Sequence, residues 1–126
     1  MKFVLSKTHL YWWPVTIAVP SPDRERAGEM VEMTFKMQFE ALPRDEARAM
    51  YERLEALPAG KAETQTHADL MRVVKNWDED VVDDAGRPVP FAPEVFAQML
   101  QISWYRLGVY RAWTASLVSE APKRGN

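Results

Sequence analysis

From Met30 to Glu40 the chain alternates without interruption. Val31, Met33, Phe35, Met37 and Phe39 are apolar; Glu32, Thr34, Lys36, Gln38 and Glu40 are polar. A period of two turns one set toward a core and the other toward water, so this stretch predicts a β-strand. Upstream, residues 10–20 (LYWWPVTIAVP) concentrate aromatic and β-branched side chains and end in a Pro-Ser-Pro-Asp turn signal. They predict a second strand, which Pro14 confines to an edge or a bulge because it has no backbone donor. The polar residues 21–29 join the two strands as an antiparallel meander. So small a meander must bury one face on helices.

The period then changes. Pro43 opens a helix with Asp45 and Glu46 in its first turn; Ala47, Met50, Tyr51, Leu54 and Leu57 follow at helical spacing, and Pro58-Ala59-Gly60 stops it. Leu70, Val73, Val74 and Trp77 keep the same spacing, so residues 62–77 are predicted as a second helix ending at Trp77. Val81-Val82 and Val89-Pro90-Phe91 flank Asp83-Asp84-Ala85-Gly86-Arg87, the pattern of a tight hairpin or a hairpin-like loop. Pro88 and Pro90 keep any second strand there short and at an edge. Pro93-Glu94 opens a third helix, with proline in the first turn and a carboxylate at the positive helix end. It is predicted to run to about Val118, and the tail EAPKRGN to fray.

That third helix carries too much apolar surface for a single face. At about 100° per residue, Phe96, Met99, Leu100, Ser103, Leu107, Tyr110, Thr114 and Leu117 form one stripe. Val95, Ile102, Val109 and Trp113 form a second stripe beside it, with Trp104 flanking the first. The apolar sector is roughly twice the usual ~100°. Such a helix is either central to the core or offers its second stripe to another chain. Val95, Ile102, Trp104, Tyr105, Val109 and Trp113 are therefore the candidate protein-binding residues. Gly108 marks a bend or a point of close packing. The fold class that follows is α+β: one domain, with a small N-terminal antiparallel sheet packed on about three α-helices.

Composition narrows the function classes. The 126 residues are 47% hydrophobic and 27% charged, a balance that fits one modest globular core. The formal net charge of -2 provides no basic field to draw in nucleic acid or an anionic membrane. The chain has no cysteine, which rules out disulfides, thiolate metal sites and thiol nucleophiles. Pro14 and Pro20 interrupt the one apolar patch near Lys2 and Lys7, so no signal peptide or membrane span is expected there.

Candidate chemistry is sparse. Asp78, Glu79, Asp80, Asp83 and Asp84 invite a calcium reading, but a loop starting at Asp78 holds Asp83 where glycine is needed and Val89 where glutamate is needed. These carboxylates read as a solvated loop, with an irregular cation site as the alternative. His9 and His67 are far apart in sequence and have no convergent carboxylate spacing. No Gly-rich phosphate loop, nucleophile elbow or Ser/His/Asp spacing occurs, so no enzyme activity, cofactor or metal is expected.

The order of features resembles the phage tail assembly chaperone family of long-tailed bacteriophages and prophages. Three segments carry the likeness. One is Trp13-Pro14-Val15-Thr16-Ile17-Ala18-Val19-Pro20; the next is the alternating strand through Phe35-Lys36 followed by Leu42-Pro43-Arg44-Asp45-Glu46-Ala47. The third is Val74-Lys75-Asn76-Trp77-Asp78 followed by Val82-Asp83-Asp84-Ala85-Gly86-Arg87-Pro88-Val89-Pro90-Phe91-Ala92-Pro93-Glu94, with Ala92 where a capping serine is more usual. The resemblance implies a non-catalytic protein that keeps the tape measure protein soluble before tail-tube polymerisation. It also implies action in the host cytoplasm and absence from the finished virion. Self-association into a homo-oligomer is compatible with it. The competing expectations are a structural virion or head-tail connector component and, from another class, a small regulatory nucleic-acid-binding domain.

Overall fold

Strands β1 (Leu10–Pro20) and β2 (Met30–Glu40) pair antiparallel along their whole length, with Leu10 opposite Glu40 and Pro20 opposite Met30. The computed structural model describes residues 1–118; the fraying expected of residues 119–126 lies outside them. As the alternation requires, Phe35, Met37 and Phe39 are buried, together with Val15 and Ile17 of β1. The opposite face carries Trp12, Thr16, Thr34 and Lys36 in solvent. Gly28, at φ +89°, turns the chain between the strands in a conformation that glycine adopts without a steric penalty.

The ladder fixes where each backbone group points. Ala41 N–H donates to the His9 carbonyl (2.8 Å) and Ser21 N–H to that of Glu29 (2.9 Å). The mutually bonded pairs are therefore the odd-numbered residues of both strands, and the even-numbered ones turn their N–H and C=O away from the partner. Pro14 and Pro20 are even-numbered, so their missing donors fall on the outer edge of β1. This is the edge position that the sequence required of Pro14.

Helix α1 (Arg44–Ala56) and helix α2 (Ala62–Val73) follow, and then the chain departs from expectation. Residues 74–77 are a third strand, β3 (Val74–Trp77), not the last turn of a helix. It pairs antiparallel with the end of β2, giving the sheet order β1-β2-β3. Phe39 faces Val74 while Gln38 faces Asn76, so Lys75 is an extra residue bulged out of the ladder. The bulge turns Val74 and Trp77, three residues apart, to the same buried side and so reproduces helical spacing inside a strand.

The second departure lies in the long helix. It is broken into α3 (Pro93–Met99) and α4 (Ser103–Val118). At the break, Gln101 and Ile102 donate to the carbonyls of Gln98 and Met99 in tight turns, and the Arg106 guanidinium donates to the Leu100 carbonyl at 2.8 Å. The break rephases everything after it. The face of α4 turned inward holds Tyr105, Gly108, Val109, Ala112 and Trp113 instead of Ser103, Leu107, Tyr110 and Thr114. Leu107 and Leu117, expected in the core, are about half exposed.

The resulting architecture is α+β, an antiparallel sheet with its helices packed on one face. Among the described residues no helix is long and apolar enough to cross a membrane. Helix α4 lies directly on β1. Tyr11 Oη is 2.7 Å from Ser116 Oγ; that hydroxyl already donates to the Trp113 carbonyl, so Tyr11 is the donor. Arg72 on α2 ties the sheet to α1: its guanidinium donates twice to Glu46 (2.9 and 3.0 Å) and once to Glu40 (2.9 Å).

Asp69, only 4% exposed, sits beneath α1 and α4, with the Gln65 amide donating to it at 2.8 Å. Burial raises its pKa above the ordinary carboxylate value, and no charge partner close enough for an ion pair offsets this among the described residues. Folding therefore favours the protonated form, and the group opposes folding once pH rises past the unfolded-state pKa. Asp69→Asn should match wild-type stability at about pH 3 and exceed it at about pH 7, in urea titrations run at both values.

Candidate functional site

One apolar groove stands out on this scaffold. Strand β3 covers β2 only over Met37–Phe39, and Asp78 prolongs the contact by a single step: its N–H donates to the Lys36 carbonyl (3.0 Å) and its carboxylate accepts from Lys36 N–H (3.2 Å). Beyond that, the N–H and C=O of Thr34 and Glu32 point to the same side and meet no backbone partner among the described residues. The chain instead swings away into the 78–90 hairpin and leaves a cleft of about 350 Å³ in front of the open edge.

The hairpin wall is held by its own turn chemistry. Val82 bridges Pro88, Val89 N–H donates to the Val81 carbonyl (2.8 Å), and Gly86 takes φ +79°. The Asp83 carboxylate accepts from the N–H groups of Ala85 (2.9 Å) and Arg87 (3.0 Å), and that of Asp78 also accepts from Asp80 N–H (3.2 Å). Two members of the acidic run are thus turn staples. Among the described residues, no three His, Asp or Glu side chains converge in a metal-binding cluster.

Trp77 anchors this wall to the body of the protein. Its indole N–H donates to the Val89 carbonyl at 2.6 Å, and its ring meets Phe91 and Phe96 edge-on at centroid separations of 4.9 and 6.4 Å. Across the cleft, Tyr105 stacks on Phe35 at 6.5 Å with the planes 8° apart. Burial holds the Tyr105 phenol far above the usual tyrosine range, so it stays neutral.

The six sequence-nominated contact residues divide between groove and core. Val95, Trp104 and Tyr105 line the groove, Val95 as an exposed rim residue and Trp104 half-buried. Ile102 is half-buried at the helix break and packs on the core. Val109 (0% exposed) and Trp113 (6%) are interior, which corrects their assignment to a partner-facing stripe. The cause is the rephasing at Leu100–Ile102: these two positions belong to the face of α4 that lies on β1. The indole N–H of Trp113 is buried without a hydrogen-bond partner among the described residues.

Met33, Thr34, Val81, Val82 and Val89 line the groove too, and sequence reasoning missed them. The alternation places Met33 on the core side of β2, where it is nonetheless 49% exposed, as part of the wall of this open cleft. His67 lies elsewhere, beside Glu63 and Arg106, and His9 is exposed against Phe3. Compared with protein-family models, with curated proteins and with solved structures, the chain matches none.

Proposed function

We propose that the protein is a non-catalytic assembly chaperone that holds an apolar segment of the tape measure protein in the groove beside β2. In this reading it acts in the cytoplasm of the infected cell and is left out of the finished particle. The observation that carries the proposal is the coincidence of an apolar cleft, lined in part by Thr34, with backbone groups of Glu32 and Thr34 that meet no partner among the described residues. An extended segment entering there adds a strand, gaining main-chain hydrogen bonds from the edge and side-chain burial from the cleft. Met33 and Met99 in the lining suit a surface that must bind reversibly, because the unbranched thioether adapts to different shapes. The order of motifs along the chain, which resembles tail assembly chaperones, supplies the identity of the client.

Co-expression with the tape measure protein of the same genome, followed by pull-down and size exclusion, tests this. Wild type should co-purify with the client and keep it soluble. Val95→Asp places a carboxylate on the groove rim, at a first-turn position of α3 where the helix tolerates it. It should weaken the complex by about tenfold or more, because an unpaired charge must be desolvated on docking. A client that stays soluble alone and never co-purifies would overturn the proposal.

A further inference from the structure

We infer that, when no client is bound, the groove is filled by the N-terminal arm of a second copy of this chain, in a reciprocal exchange. The inference rests on the groove being a docking site, as proposed above, and it names a competitor for that site. Residues 1–9 precede β1 with no regular secondary structure, and Phe3, Val4 and Leu5 are 82%, 73% and 88% exposed. Three consecutive apolar side chains in water, on a molecule whose strand edge at Glu32 and Thr34 meets no backbone partner among the described residues, are the ingredients of strand addition.

Charge selects the same pairing. The arm carries Lys2 and Lys7, and no Asp or Glu occurs before Asp23. Asp80 lies in the groove lining, and residues 79–90, which form the groove wall, hold Glu79, Asp80, Asp83 and Asp84 against Arg87 alone. A basic, apolar, extended segment therefore complements an apolar cleft with an acidic rim.

Reach requires that the arm come from another molecule. Ala41 N–H holds His9 in the ladder, so Thr34 is seven residues further along the sheet, roughly 23 Å away, and across two strand spacings of about 4.8 Å each. From His9 back to Phe3, the farthest of the three apolar residues, a fully extended chain covers only about 20 Å. Strand β3 also occupies the direct path over Met37–Phe39. The arm cannot seat its apolar residues in its own groove, but a neighbour's arm is under no such limit.

Sedimentation equilibrium on the full chain tests the inference, with circular dichroism to confirm that each variant is folded. Wild type should dimerise. The arm variant Phe3→Asp/Leu5→Asp and the groove variant Val95→Arg, whose charge repels the basic arm, should each raise the dimer dissociation constant by roughly tenfold or more. Mixing the two variants should restore a heterodimer, because one retains the arm and the other the groove; a variant that had merely unfolded gives no such rescue. The arm variant should bind the client at least as tightly as wild type does. A monomeric wild type, an arm variant that dimerises as wild type does, or a mixture without heterodimer overturns the inference. If client binding still depends on Val95 in those cases, the chaperone reading stands without it. Rescue in the mixture with no client bound by any form leaves the exchange intact and removes that reading.

Discussion

Trp77→Ala should lower the unfolding free energy by about 3–5 kcal/mol, the range for removing a large aromatic side chain from a core. The residue is 5% exposed and is the meeting point of β3, the 78–90 hairpin and α3, through Val89, Phe91 and Phe96. Domains of this size are stable by about 5–15 kcal/mol, so one substitution removes a large share. Trp77→Phe separates the two contributions. It keeps an aromatic ring for the edge-on contacts but leaves the Val89 carbonyl without its donor, at a cost of about 1–3 kcal/mol. Urea denaturation of the three proteins measures both steps. If Trp77→Ala costs less than Trp77→Phe is expected to, Trp77 is not the anchor.

The second large effect is expected at Gly108. A Cβ built there would lie 2.5 Å from Ile17 Cδ1, 3.0 Å from the Thr16 carbonyl oxygen and 3.3 Å from Ile17 Cα. Two of these neighbours are backbone atoms of β1 and cannot rotate aside. Gly108→Leu should therefore cost about 3 kcal/mol by overpacking, although leucine favours a helix interior over glycine by nearly 1 kcal/mol. Gly108→Ala should cost less, and Ile17→Val should recover part of that loss by removing the Cδ1 atom in the way. In a double-mutant cycle the pair should couple favourably by about 1 kcal/mol. Strict additivity in thermal or urea unfolding would show that α4 does not bear on β1 at this point.

Gly108 also shows what could be read from the sequence. A glycine inside a helical stretch signals either a bend or a close approach, and the geometry selects the approach. Strand β2 was legible in full, because alternation over Val31–Phe39 has one reading. The misreadings share a cause. Periodicity reports which positions are buried, and a bulge or a break can give a different backbone the same burial spacing. The bulged Lys75 did so for Val74 and Trp77. Between α3 and α4 neither glycine nor proline announces the break, and a single helical phase continued across it turns Val109 and Trp113 outward, where the broken helix turns them in. Of the groove, Val95, Trp104 and Tyr105 were found because aromatic and branched residues were in excess there. The strand edge was invisible, since pairing partners over Glu32 and Thr34 depend on where residues 78–90 leave the sheet.

The outer side of β1 bears on what happens at high concentration. Pro14 and Pro20 offer no N–H there, and the Thr16 carbonyl lies under the Gly108 turn of α4. Another strand finds no continuous row of donors and acceptors along that side. A sheet that accepts company on one flank alone cannot grow into a fibril by stacking sheets edge to edge, and an arm exchange stops at pairs when it is reciprocal. For a molecule proposed to work among subunits that stack into tubes, that one-sidedness keeps it from being built into a polymer of its own.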